Sequence, residues 1–193
     1  MNSNVDVIKE LAVKNKEIYF NKLNIDLDNS EENLLITIDN IISLFTKEVT
    51  DKVLDIECTT LFSQQALQEV LAFHKIIHEE LRKLVNERFN ELREKVKKIE
   101  NIVYKDELNK GTDNLINKLQ KCYMDNIDKL IGNLTKKSNA FTKERVEDYL
   151  KNSYYEKFIN KVKDAINNID IILYNNYQEA EKKYNELNKK VIN

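Results

Sequence analysis

His74 and His78 are the only histidines in a chain of 193 residues, and they stand four apart. In a helix that spacing puts both imidazoles on one face, where they share the centre of an apolar stripe with Leu67, Leu71, Leu81 and Val85. Two chemistries follow. Imidazoles joined by a carboxylate or thiolate can hold zinc, which takes four ligands and usually at least three from protein. Imidazoles kept neutral by burial resist protonation and so tie the fold to pH. The neighbouring residues speak against a metal. The zinc signature His-Glu-x-x-His has Lys75 in place of its glutamate, and the Glu-x-x-His of di-iron bundles has Leu71 and Lys75 where the acids belong. The reading is a polar pair hydrogen-bonded inside or at the edge of a core, with a pH-linked role as its functional form and neither metal nor cofactor.

Cys58 and Cys122 lie 64 residues apart with no CxxC partner, and nothing places either histidine beside a thiol as a base. They read as packing cysteines of a reducing compartment. The first ten residues carry no basic-then-apolar signal pattern and no apolar run approaches the ~20 residues of a spanning helix, so the expected location is cytoplasmic. Six of the nine tyrosines fall between Tyr149 and Tyr184. Tyr154, Tyr177 and Tyr184 follow an apolar stripe. Tyr155 and Tyr174 lie off it and are the expected contact residues for a partner, because tyrosine combines a large apolar body with a polar tip. No glycine-rich phosphate loop, calcium loop or paired carboxylates in a recognisable setting is present. No small-molecule substrate is evident, and the expectation is a protein that is not an enzyme.

The elements that must position these residues follow from composition. The chain has no proline and two glycines, Gly111 and Gly132. Sheets and phosphate loops need such residues at their turns, so the fold class is all-α with few, long elements. Asn (26), Lys (27) and Ile (21) against four Arg suggest an AT-rich coding sequence, which discounts the abundance of Lys and Asn as a functional signal. Net charge is −2, giving no prior for nucleic acid or an anionic membrane.

The periodicity predicts an elongated bundle of about five helices in one domain over 1–193, two of the helices very long. The first covers about 5–23, with the polar cluster 24–30 as a turn and Ser30 as the cap of the second helix, 31–61. The third runs from 64 to 109, with Val85, Phe89, Leu92, Val96, Ile99 and Val103 in a coiled-coil-like heptad. Gly111 ends it. The fourth covers 113–136. The fifth covers 143–191, with a stripe through Val146, Leu150, Tyr154, Phe158, Val162, Ala165, Ile169 and Ile172 and then a second heptad, Leu173 to Val191. If the short helices do not stack along one axis, part of these seams faces water. A homodimer through a seam is then expected, with a protein partner as the alternative. The function this implies is non-catalytic interaction: an adaptor, an assembly factor or a protein inhibitor. A nucleic-acid-associated subunit is the alternative, though nucleic-acid binding is disfavoured by scarce arginine. A membrane-surface bundle is the weaker one.

Overall fold

The computed structural model describes residues 3–56, 60–97, 105–136 and 140–192, with side-chain surroundings for somewhat fewer, and all statements below concern these residues. They form α1 (Ser3–Ile56), α2 (Thr60–Lys97), α3 (Lys105–Leu134), α4 (Ala140–Asp148), a π-helical turn (Tyr149–Ser153) and α5 (Tyr154–Ile192). The last three are continuous, so the described residues make four rods and no strand. None is long and apolar enough to cross a membrane.

The order is up-down-up-down. Asp39 of α1 meets His78 and Arg82 of α2, and Asp28 meets Arg93, so α1 and α2 are antiparallel. Glu69 of α2 meets Asn133 of α3, and Lys95 meets Glu107. Thr112 of α3 meets Asp170 of α5 and Tyr123 meets Phe158, while Phe45 of α1 packs on Phe158 and Tyr19 on Tyr184. One continuous apolar cluster fills the space between the rods.

Several expected boundaries move, each for a physical reason. The turn at 24–30 does not exist: α1 runs through it for 54 residues in all. Asn and Asp disfavour a helix interior by only about half a kcal/mol each, whereas Leu23 and Leu27 are buried and each such side chain contributes about 1.5–3 kcal/mol. Lys22 adds an i,i+4 pair to Asp26 at 3.1 Å, and Ser30 is a buried mid-helix residue rather than a cap. The single helix expected over 64–109 is instead two antiparallel helices, parted within 98–104, which lie outside the described residues together with Ile99 and Val103. Gly111 ends nothing; it lies inside α3. Leu67, Leu71 and Ile172 are exposed, not members of an inner stripe. The buried face of α2 passes through Val70, Phe73, His74, Ile77 and Leu81, and that of α5 through Ile166, Ile169 and Leu173.

Val85, Phe89, Leu92 and Val96 are buried as the heptad demands, and so are Leu173, Tyr177 and Ala180. Their cover is α1, which as one unbroken helix of ~80 Å lies along both seams. Cys58 falls outside the described residues.

Candidate functional site

Five apolar residues of the last rod follow one another at a spacing of four: Val146, Leu150, Tyr154, Phe158 and Val162. At 3.6 residues per turn, steps of four drift by about 40° each and would carry the stripe off the core. The π turn absorbs the drift by fitting one more residue into a turn, and all five side chains are buried. Its signature is the Tyr154 N–H bonded five residues back, to the Tyr149 carbonyl. The Leu150 carbonyl in this turn receives the Tyr123 hydroxyl of α3, and the Tyr149 hydroxyl reaches Glu48 of α1 at 3.5 Å.

His74 completes this cluster. It is 3% exposed, and Nδ1 lies 2.8 Å from the Val70 carbonyl. A carbonyl only accepts, so Nδ1 carries the hydrogen and Nε2 is left as an acceptor. The Tyr154 hydroxyl donates to Nε2. Phe73 stands edge-on to the imidazole at 5.3 Å, and Phe45 and Phe158 flank Tyr154. Burial pulls His74 down to about 4, against the opposing pull of the Val70 carbonyl. Burial likewise pushes the Tyr123 and Tyr154 hydroxyls above their ordinary range and Tyr149 up to about 12.

The two histidines do not work together. His78 sits half-exposed on the other flank of α2, where Nε2 meets Asp39 of α1 at 2.6 Å and Arg82 binds the same carboxylate at 2.7 and 2.9 Å. Burial raises Asp39, but the His78 and Arg82 bonds outweigh it and hold the carboxyl below its usual value. Among the described residues no three His, Cys, Asp or Glu side chains converge as ligands. Cys122 is a half-buried free thiol pushed up by burial and by Glu80 and Asp125.

A second polar cluster was not visible as such in the sequence. Arg88 and Asp170, each 6% exposed, pair at 2.5 Å across the bundle from α2 to α5. Thr112 of α3 donates to the other Asp170 oxygen, and Arg88 also donates to the Leu108 carbonyl at 3.2 Å. Burial drives Asp170 above its ordinary value despite the counter-pull of Arg88 and Thr112. A Cβ on Gly111 would stand 3.3 Å from Arg88 Nε, so this glycine makes room for the guanidinium. The only advance signal was an aspartate at a stripe position of α5, one residue after Ile169 and three before Leu173. Above the pair, between α3 and α5, opens a cleft of about 440 Å³ lined by Lys105, Asn109, Asn167, Asp170, Tyr174 and Asn175 among others.

No protein-family model matches the chain, and comparison with curated proteins and with solved structures finds no significant similarity.

The two tyrosines expected on the surface are neither free nor together. Tyr155 is half-buried with its ring 4.9 Å from Tyr123. Tyr174 is half-buried at the cleft and accepts from Gln178 at 2.8 Å. Both pack against the core because α5 is covered on two sides, by α1 and by α3. The exposed apolar side chains lie elsewhere. Every described side chain from Asn4 to Lys14 of α1 is exposed, Val7 at 50% and Val13 at 58%. At 100° per residue, Val7, Leu11, Ile18, Ile25 and Ile36 fall within about 40° of one another, opposite the face that carries Leu23, Leu34 and Ile41.

Proposed function

We propose that this is a non-catalytic interaction protein that engages a protein partner through the outer face of α1. The observation that carries the reading is the second apolar row on that helix. Val7, Leu11, Ile18, Ile25 and Ile36 are all exposed and run for roughly 45 Å along one face, broken by Lys14, Asn29 and Glu32. Apolar side chains aligned at such length on an outer face mark interaction surfaces more often than scattered ones do, and an amphipathic groove or helix in a partner is their natural complement. Tyr155 and Tyr174, the contact residues expected from sequence, contribute less area than that row because both are half-buried.

A photocrosslinking amino acid placed at Val7, Ile18 or Ile25 in cells of the host tests the reading. The expected outcome is one dominant heterologous adduct shared by these positions and absent when the crosslinker replaces Lys83 or Lys163, exposed residues of α2 and α5. Adducts of equal yield at all five positions would overturn it, as would none at the apolar three.

A further inference from the structure

The cluster around His74 lies beneath the π turn that joins α4 to α5. Among the described side chains of α4, Val146 alone is buried, and the π turn that follows α4 adds the buried Leu150 and three tyrosine hydrogen bonds to the surrounding rods. Those contacts are the Tyr123 hydroxyl on the Leu150 carbonyl, the Tyr149 hydroxyl on Glu48, and the Tyr154 hydroxyl on His74. The last fixes the first residue after the π turn to the centre of α2. It exists only while Nε2 is an acceptor.

We propose that the His74–Tyr154 hydrogen bond is an acid-released latch that pins the π turn and α4 onto α2 and α3. A proton on Nε2 removes the acceptor. The Tyr154 hydroxyl must then turn its hydrogen toward the rings of Phe45 and Phe158, and the imidazolium is left in an apolar cage. Among the described residues no charge is placed to rescue it. Glu48 of α1 is held by Tyr149 and Lys157 (3.5 and 3.4 Å), and Lys52 stands over the outer ring of Tyr149. Asp128 of α3 and Glu147 of α4 are both taken by Lys151 of the π turn, at 2.9 and 3.0 Å. On α2 itself, Glu69 accepts from Asn133 and His78 is paired with Asp39. None is bonded to the imidazole, whose two nitrogens are occupied by Val70 and Tyr154. Opening the latch exposes the ring to water and restores its ordinary basicity.

The sign follows from the two ends. The open form takes a proton below its ordinary value of 6.5, the closed form only near 4. Opening is therefore proton-independent above about pH 7 and favoured progressively as pH falls from 6.5 toward 4. From pH 7 to pH 5 the opening constant rises roughly 20-fold. The rise is local, because α2 and α3 keep their own seam through Phe73, Ile77, Leu84 and Leu119.

Hydrogen exchange at pH 7 and pH 5, corrected for intrinsic rates and read peptide by peptide, tests this in the full chain. The expected result is a roughly 20-fold loss of protection confined to Ala140–Tyr154, and no such loss in His74→Gln, whose amide can still donate and accept but does not titrate. Equal acid sensitivity in His74→Gln, or acid-insensitive exchange in the wild type, would overturn the latch. Should the variant not fold, an imidazole nitrogen titration of the wild type decides. Closed-state titration near 4, with the α4 amides losing protection in step, supports it. Titration of His74 at its ordinary value while α4 stays protected refutes it.

Discussion

Two polar clusters cross the same bundle in the same direction, from α2 to α5, and solve the cost of burial in opposite ways. Arg88 and Asp170 are ions. Taking both from water costs several kcal/mol each, and their attraction repays this only while the geometry and the extra bonds from Thr112 and to the Leu108 carbonyl are intact. Arg88 Nη1 is nonetheless buried without a partner, so even the complete cluster is imperfectly satisfied. His74 and Tyr154 are neutral, and their bond to each other together with the one from His74 to the Val70 carbonyl occupies both imidazole nitrogens. The charged cluster is thus vulnerable to the loss of a residue, and the neutral one to the arrival of a proton.

The sharpest way to break that contrast is Asp170→Ala, which leaves Arg88 charged and buried. It is expected to cost about 3–5 kcal/mol in urea denaturation. The double variant Arg88→Met/Asp170→Leu should recover most of that loss, because it removes both desolvation costs at once. A double variant as unstable as the single would show that register, not charge, is what the pair supplies. For the neutral cluster, Tyr123→Phe leaves the Leu150 carbonyl of the π turn without its donor. A loss of about 1–3 kcal/mol is expected in the same assay, and a loss below about half a kcal/mol would mean the carbonyl finds water. The smallest effect separates the two glycines. Gly132 has nothing within 4 Å of an added Cβ, so Gly132→Ala in the last turn of α3 should stabilise by about 0.5–1 kcal/mol. Gly111→Ala gains the same propensity but presses on a guanidinium held through Nη2 by Asp170 and the Leu108 carbonyl, and should lose about 1 kcal/mol net. Two variants of the same sign would show that Arg88 yields.

What the sequence made legible was whatever depends on local periodicity. The absence of proline and the apolar spacing of Val85 to Val96 or Leu173 to Ala180 were enough for an all-helical bundle and for most of its inner faces. Where tertiary packing overrides local propensity, the sequence misled. Asn24 to Ser30 has the composition of a turn, yet it is drawn into α1 because Leu23, Leu27 and Ser30 all face the core. Gly111 has the look of a helix end, yet its use is to leave space for a side chain 23 residues earlier. His74 and His78 were correctly placed on one helix, but a shared face did not mean a shared environment. A rotation of one flank sends one ring to Tyr154 and the other to Asp39. The π turn was latent in the run of four-residue steps from Val146 to Val162, a spacing that a regular helix cannot keep turned inward.

The unbroken length of α1 also bears on how the chain assembles. Its inner face is covered on one side by α2, its neighbour in sequence, and on the other by α5, through pairs such as Phe45 with Tyr154 and Tyr19 with Tyr184, over 100 and 160 residues away. The α2–α3 hairpin closes short loops and can form early, but the α1–α5 seam must wait until the intervening chain has been made and ordered. During synthesis Leu34, Ile38 and Val49 therefore stand half-covered while about 100 more residues are added, seconds at ordinary rates of translation. A helix that ends up as the backbone of the bundle spends its first moments as the surface most in need of shelter.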